Sequence, residues 1–247
     1  MIISVITPVK DDPEGLRKSA SSLLSQRGVE LEHIIVSAGH DPELISYVEE
    51  YAPGASYPVR LIEGGSDGVY KALNLGIEAA TGELVATMHA GDLWQRSDSL
   101  SMLHDALSKA GADLAYGDLH YVDSRGKRVR NYCAARFRTE SLLDGFMPPH
   151  PTILARRELF ATVGLYDQNY GIAGDFDWLV RTLLKAGAKS VYVASDLVAM
   201  RTGGISCKWR NRLYYTLGEK YMSLRNNGYR VSRLRLLKRY LRLFDHH

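Results

Sequence analysis

The residues able to do chemistry in this chain are few and well separated. Three carboxylates stand out: Asp92, which closes the string His89-Ala90-Gly91-Asp92, and the pair Asp175 and Asp177 in Gly174-Asp175-Phe176-Asp177. Carboxylates take up protons as general bases and offer hard oxygen ligands to divalent cations. On a helix, side chains two residues apart do not face each other, so Asp175 and Asp177 either have different roles or are both first-turn acids favoured by the helix dipole. Asp67 sits where the turn Glu63-Gly64-Gly65-Ser66-Asp67-Gly68 meets a helix, and there it can cap the helix or reach a ribose hydroxyl or a basic neighbour. Ser37 supplies one hydroxyl and no charge. His150 lies between prolines in a segment that cannot be regular helix, either near a ligand or as a satisfied structural residue. Arg201, just before Gly203-Gly204, is suited to an anionic group if a loop closes over it, and is otherwise an exposed arginine.

Positioning these groups requires alternating strands and helices. Residues 2–7 form a β-branched strand ended by Thr7-Pro8, and Leu16, Ala20, Leu23 and Leu24 recur at helical spacing behind it. Residues 31–36 predict a second strand, 43–51 a helix, and 59–62 a third strand. Val69, Leu73, Ile77 and Ala80 share the face of a helix with Ser66 or Asp67 as N-cap and Thr81-Gly82 as its end; a fourth strand follows at 83–88. Four strands separated by helices predict a doubly wound, mostly parallel sheet, which binds ligands beyond the carboxyl ends of its strands. Those ends carry Thr7-Pro8, Ser37-Ala38-Gly39, Gly64-Gly65 and His89-Ala90-Gly91-Asp92. The second half reads as mixed: a helix near 97–110, strands at 114–116, 119–122, 128–132 and 152–155, a helix from Arg157, and a longer helix over 175–186. Asn74 reads as a tie between backbone segments, and Trp178 as core.

The strings Ile3-Ser4-Val5-Ile6-Thr7-Pro8-Val9-Lys10, Ser66-Asp67-Gly68-Val69-Tyr70-Lys71-Ala72-Leu73-Asn74, Thr81-Gly82-Glu83, Gly91-Asp92, Gly174-Asp175-Phe176-Asp177-Trp178-Leu179-Val180-Arg181 and Gly203-Gly204-Ile205-Ser206 occur in the order found in the family 2 glycosyltransferases. The chain resembles that family, and among its members the bacterial enzymes of surface-polysaccharide assembly of the colanic-acid type. The resemblance implies a GT-A fold, a nucleoside-diphosphate sugar as donor, Mn²⁺ or Mg²⁺ as cofactor, and hexosyl transfer with inversion. It makes Thr7, Pro8, Lys10, Ser37, Asp67, Gly91 and Asp92 donor-binding residues, Asp92 the metal ligand, and Asp175 the general base. His150, Asp177 and Arg201 become candidate contacts for acceptor or phosphate. The chain departs from the pattern in three places: Ser37 stands where an aspartate usually reads the base, the Asp-x-Asp metal motif is reduced to Asp92, and Gly174 replaces a glutamate. His89 is a possible further ligand or a hydrogen-bonding residue of the cleft wall.

Composition bounds the rest. With 247 residues and 45% hydrophobic content there is enough chain for one large α/β domain with a small appendage. Cys133 and Cys207 have neither zinc-site nor disulfide-framework spacing, so a reducing compartment is the simpler reading. No signal segment or apolar run of about eighteen residues is visible, which points to a cytoplasmic protein. The net charge of +3 hides an asymmetry, because residues 208–247 hold eleven Lys/Arg against two acids. The expected division is a GT-A domain at 1–204, with a nucleotide-sugar half (1–92) and an acceptor half (93–204), followed by a basic helical arm at 205–247. In that arm Leu234, Leu237, Leu241 and Phe244 repeat at helical spacing among arginines and lysines. Residues 231–244 can lie on an anionic membrane, pack on their own domain, or form a dimer contact. Nucleic acid is not an expected partner, since the aromatics follow core spacing. A glycan or lipid-linked acceptor fits a peripheral position on the inner face of the membrane. The alternative from another class is a non-catalytic nucleotide-sugar binder or scaffold, motivated by the acids missing at 37, 89 and 91.

Overall fold

A computed structural model describes residues 1–64, 67–203 and 214–242. Strands β1 (Ile2–Val9), β2 (Glu30–Ser37), β3 (Val59–Glu63) and β4 (Leu84–Thr87) lie parallel in the order β3-β2-β1-β4. Seven of the eight residues of both β1 and β2 are buried, which is why these strands read as unbroken rather than alternating apolar runs. Asp12 and Asp41 begin the helices α1 (Pro13–Leu24) and α2 (Pro42–Tyr51). Each carboxylate accepts a backbone N–H of the first turn ahead of a proline that needs no partner there. Helix α3 (Val69–Ala79) returns the chain to β4, and Glu32 fixes that return. Its buried carboxylate accepts from the backbone N–H groups of Thr81 at 2.6 Å and Gly82 at 3.0 Å, and from the Ser4 hydroxyl. Burial opposes the charge on Glu32, yet these bonds outweigh it and bring its pKa down to about 2.

The remaining elements extend the same sheet. They are β5 (Leu93–Trp94), α4 (Ser99–Ala110), β6 (Leu114–Val122), β7 (Arg128–Tyr132), β8 (Leu154–Arg156), α5 (Glu158–Val163), α6 (Gly174–Leu179), β9 (Ser190–Arg201), α7 (Lys220–Asn226) and α8 (Arg233–Arg242). The full order is β3-β2-β1-β4-β8-β6-β9-β5, with β7 on β6, and the second half mixes parallel and antiparallel pairs. This is the α/β architecture expected, a doubly wound sheet with a mixed second half. Strand β9 has no counterpart in the sequence reading. The expected break between 116 and 119 is a register irregularity inside one strand at Gly117, where a Cβ would stand 2.5 Å from Leu197. Residues 150–152 are a 3₁₀ turn rather than the start of β8. Helix α3 has Gly68 as its N-cap with no side-chain cap; Asp67 instead pairs with Lys71 one turn on, and Ser66 lies outside the described residues.

The C-terminal segment does not stand off as an arm within its described residues. Helix α6 continues as a π-helical turn (Val180–Lys185), and a second such turn (Tyr215–Glu219) leads into α7. Leu224 and Leu236 are fully buried in the cluster that holds Trp178, Phe176 and Phe160. Leu236, which lies outside the expected stripe, is thus a residue that seats α8. Leu234 is exposed, Leu237 half-buried, and Phe244 lies outside the described residues. No helix among the described residues is long and apolar enough to cross a membrane.

Asp177 joins the two parts. It is buried, and accepts from Arg181 Nε at 2.8 Å, Ser223 Oγ at 2.8 Å and Asn227 Nδ2 at 3.0 Å. Truncating one partner of a buried ion pair typically costs about 3–5 kcal/mol. Asp177→Ala should therefore lower the melting temperature by roughly 6–20 °C in calorimetry, at about 2–4 °C per kcal/mol for a chain of this size.

Candidate active site

Four chain segments converge beyond the carboxyl ends of the parallel strands. The first follows β1 and β2, where Val9, Lys10, Ser37, Gly39, Asp41 and Leu44 line a cavity of about 190 Å³. Such a volume holds part of a ligand rather than a whole one. The Ser37 hydroxyl donates to Gly39 O at 2.5 Å and so shapes the turn at the cavity wall. Pro8 is buried in register with Val36, and Lys10 is exposed at the rim. Thr7 differs from its expected role. Its fully buried hydroxyl lies 2.9 Å from His33 Nε2, while His33 Nδ1 lies 3.0 Å from the Tyr51 hydroxyl. Burial pushes His33 down to about 3, so this relay is neutral and structural, and the Thr7 side chain does not face a ligand.

The second segment follows β4. Ser19 of α1 holds it from below: its hydroxyl donates to Asp92 O at 2.8 Å and accepts from Gly91 N–H at 2.9 Å. Gly91 has φ 92°, in the left-handed region, and a Cβ there would stand 2.8 Å from the Arg201 guanidinium carbon. The positive φ favours glycine here, and any Cβ would also push the guanidinium aside. Arg201, at the end of β9, pairs with Asp12 while its backbone N–H donates to Asp92 Oδ1 at 3.0 Å. The structure thus brings Arg201 to the Asp92 turn. Asp92 is 3% exposed and its buried Oδ2 has no hydrogen-bond partner among the described residues. Burial pushes its carboxyl up to about 7, against the opposing pull of Arg201.

That orphaned oxygen is the feature that bears on a metal. Among the described residues no three His, Cys, Asp or Glu side chains cluster as a cation site, and the turn at 89–92 offers the Asp92 Oδ2. One carboxylate fits a cation whose other ligands are phosphate oxygens and water, the usual manner of Mg²⁺ at diphosphates.

The third segment is α6. Asp175 is half-buried, and its Oδ1 accepts from Phe176 N–H at 2.7 Å and from the Tyr70 hydroxyl at 3.3 Å. Burial raises its pKa; the Phe176 N–H, the Lys220 charge, Tyr70 and His89 pull in the other direction without cancelling it. Asp175 and Asp177 do have different surroundings, and Asp177 is corrected from a candidate ligand contact to a buried structural anchor. The fourth segment carries His150, whose Nε2 lies 2.9 Å from the Tyr166 hydroxyl and whose ring centroid is 6.3 Å from that of His89. Burial pushes both histidines down to about 4, so both are neutral near pH 7. His150 is therefore a satisfied residue of the cleft wall. Asp67 is exposed at the mouth, one turn before Tyr70. Asn74 does tie backbone together, bonding Tyr166 N–H and O at 3.0 and 2.9 Å. The motif at 203–206 falls largely outside the described residues.

Two residues that shape the site were not singled out in the sequence. Glu219, buried on the second π-helical turn, accepts from three consecutive N–H groups, Gly171, Ile172 and Ala173, at 2.7–2.9 Å just ahead of α6. Tyr70 lies under Asp175. The one available signal for Glu219 was its isolation as one of only two acids in a basic segment.

Comparison with known proteins places these features in a lineage. Residues 4–164 match the model of "Glycosyl transferase family 2". An uncharacterized glycosyltransferase of Mycobacterium tuberculosis is 30% identical over 186 residues, covering 74% of this chain and 69% of that protein. In structure the chain is similar to S. aureus TarS 1-349 in complex with UDP-GlcNAc, with TM-score 0.73 and 16% identity over 100% of this chain and 73% of that one. It is also similar to the mannosyltransferase PcManGT from Pyrobaculum calidifontis in complex with GDP-Man and Mn²⁺, with TM-score 0.71 and 16% identity over 96% and 68% of the two chains. These likenesses establish the shared fold.

The seat of Arg201 over Gly91 can be tested directly. Gly91→Ala should cost about 1–3 kcal/mol through left-handed strain and the clash with the guanidinium. Adding Arg201→Ala should recover the steric part only. A Gly91→Ala protein that melts with the wild type would contradict this geometry.

Proposed function

Because the chain belongs to glycosyl transferase family 2, we propose that this glycosyltransferase moves a sugar from a nucleoside diphosphate to a hydroxyl of a glycan or lipid-linked saccharide, with inversion at the anomeric carbon. The observation that carries the proposal is a half-buried carboxylate, Asp175, facing the loop that holds a second carboxylate with an orphaned oxygen, Asp92. His89, three residues before Asp92, lies close enough to Asp175 for each to shift the other's pKa.

In this reading Asp175 takes the proton of the acceptor hydroxyl as that oxygen attacks the anomeric carbon. The bond from that carbon to the phosphate oxygen breaks on the opposite face, and the nucleoside diphosphate leaves with the electron pair. A carboxyl whose pKa burial raises above the ordinary range is, when ionised, a better base than an exposed one. Asp92 is the residue that would hold Mn²⁺ or Mg²⁺, which when bound offsets the charge developing on the diphosphate. Arg201 beside it is suited to the same phosphates. The cavity between Lys10 and Ser37 receives the nucleoside end. UDP-GlcNAc bound to TarS, and GDP-Man with Mn²⁺ bound to PcManGT, support a nucleotide-sugar donor and a divalent cation.

The acceptor class and a setting in bacterial surface-polysaccharide assembly follow from the sequence resemblance. A peripheral position on the inner face of an anionic membrane is supported by α8, where Leu234 is exposed between Arg233 and Arg235. Asp175→Asn should reduce transfer by about 10²–10⁴-fold while calorimetry still detects donor binding. Unchanged turnover in that variant would remove Asp175 as base. Donor binding by the wild type with no transfer to any acceptor of a glycan panel would favour the non-catalytic alternative.

A further inference from the structure

Tyr70 is 6% exposed and sits in the first turn of α3, where helical spacing alone would make it an ordinary core residue. Its surroundings are not ordinary. The ring lies against the start of α6, so close that a Cβ on Gly174 would stand 2.8 Å from two of its carbons. Any side chain at 174 would displace the ring. The single proton of the Tyr70 hydroxyl is then shared past Gly174 between two acceptors, Ile172 O, which is the nearer, and, at 3.3 Å, Asp175 Oδ1. Phe176 N–H binds the same Oδ1 at 2.7 Å, whereas Oδ2 accepts no hydrogen bond from a described residue.

From this arrangement we infer that Tyr70 is a positioning residue for Asp175: its hydroxyl holds the Oδ1 edge of the carboxylate and leaves Oδ2 turned to the acceptor. The inference rests on the reading of Asp175 as general base. Physically, a phenol O–H donated to a carboxylate favours the ionised form, which burial disfavours. The base must be ionised before it can accept a proton. Other groups facing Asp175 are Lys220 of α7, His89 of the loop after β4, Tyr166 of the loop after α5 and Tyr215 of the π-helical turn before α7. Lys220 also favours the anion, but its ammonium is engaged with Gly145 O at 2.7 Å and lies over the Phe176 and Tyr215 rings. Tyr70 donates a side-chain hydrogen bond to the carboxylate itself.

Tyr70→Phe keeps the ring and its packing on Gly174 and removes only the hydroxyl. With the full chain and the donor and acceptor pair that the wild type turns over, kcat at pH 7 should fall about tenfold, the scale of one hydrogen bond to a charged group. Without the hydroxyl Asp175 binds its proton more tightly, so the acid limb of the kcat profile should move to higher pH by about one unit. The donor KM should stay within about twofold, since uniform binding is untouched. Gly174→Ala, which pushes the ring off α6, should move the acid limb in the same direction. A Tyr70→Phe profile superimposable on the wild type overturns the inference, as does a lower kcat with an unmoved acid limb and a lower melting temperature. Asp175→Asn run alongside separates the two levels. If that variant keeps wild-type turnover, the base reading fails; if it is inactive while Tyr70→Phe behaves as wild type, only the role of Tyr70 fails.

Discussion

The site depends on a helix that cannot hold itself. Helix α6 has six residues, far fewer than an isolated helix needs in water. The segment leading into it is instead held by Glu219, whose carboxylate accepts from three backbone N–H groups at residues 171–173. Further along, Asp177 binds Ser223 and Asn227, and Arg181 binds the carbonyls of Val163, Gly164 and Leu165. Each contact crosses from α6 or its π-helical extension to another part of the chain. Asp175 acquires a fixed position only because these distant partners supply the order that local propensity does not. The described residues after 213 are therefore part of the site's frame.

The opposite wall is built on another principle. The turn at 89–92 is tied to α1 through Ser19, and Arg201 closes it from β9. These bonds satisfy the backbone and one oxygen of Asp92, leaving the other buried and unpartnered. A buried anion in that state is costly, and Asp92 accordingly binds a proton more readily than an exposed aspartate. Folding thus preserves a local electrostatic deficit that a cation could relieve. Asp175 differs in its neighbours: the Phe176 N–H, Lys220, Tyr70 and His89 all oppose the effect of burial, which still raises its pKa. Environment separates two aspartates that composition cannot distinguish.

The sequence disclosed what depends on local pattern. The four parallel strands follow from β-branched runs, their helices from apolar spacing, and the Asn74 tie from a polar residue flanked by apolar ones. It did not disclose what depends on tertiary partners. Thr7 looked available because it ends a strand, but His33 from the neighbouring strand takes its hydroxyl. Asp177 looked like a second site acid, but Ser223 and Asn227 arrive from α7 to bury it. Strand β9 lies parallel to β6 across a bulged register, so its burial alternates imperfectly and gives no clean period. Leu236 rather than Leu234 faces inward, where Asp144 binds Arg235 and the buried cluster receives Leu236.

The two glycines beside the two aspartates show why departures from a family's pattern need not be losses. Read as residue types, Gly91 and Gly174 stand where acidic side chains were expected. In space each leaves room for another residue that contacts the neighbouring aspartate. Arg201 lies where a side chain at 91 would be, and its backbone N–H binds Asp92; the Tyr70 ring lies where a side chain at 174 would be, and its hydroxyl reaches Asp175. Restoring an acid at 174 would therefore add a carboxylate at the expense of the group that contacts the remaining one, and at 91 it would displace the Arg201 guanidinium from the turn. The two Gly-Asp pairs each work as a unit with a partner more than 100 positions away in the chain, Arg201 for Asp92 and Tyr70 for Asp175. A substitution that is conservative by alignment would be disruptive by geometry.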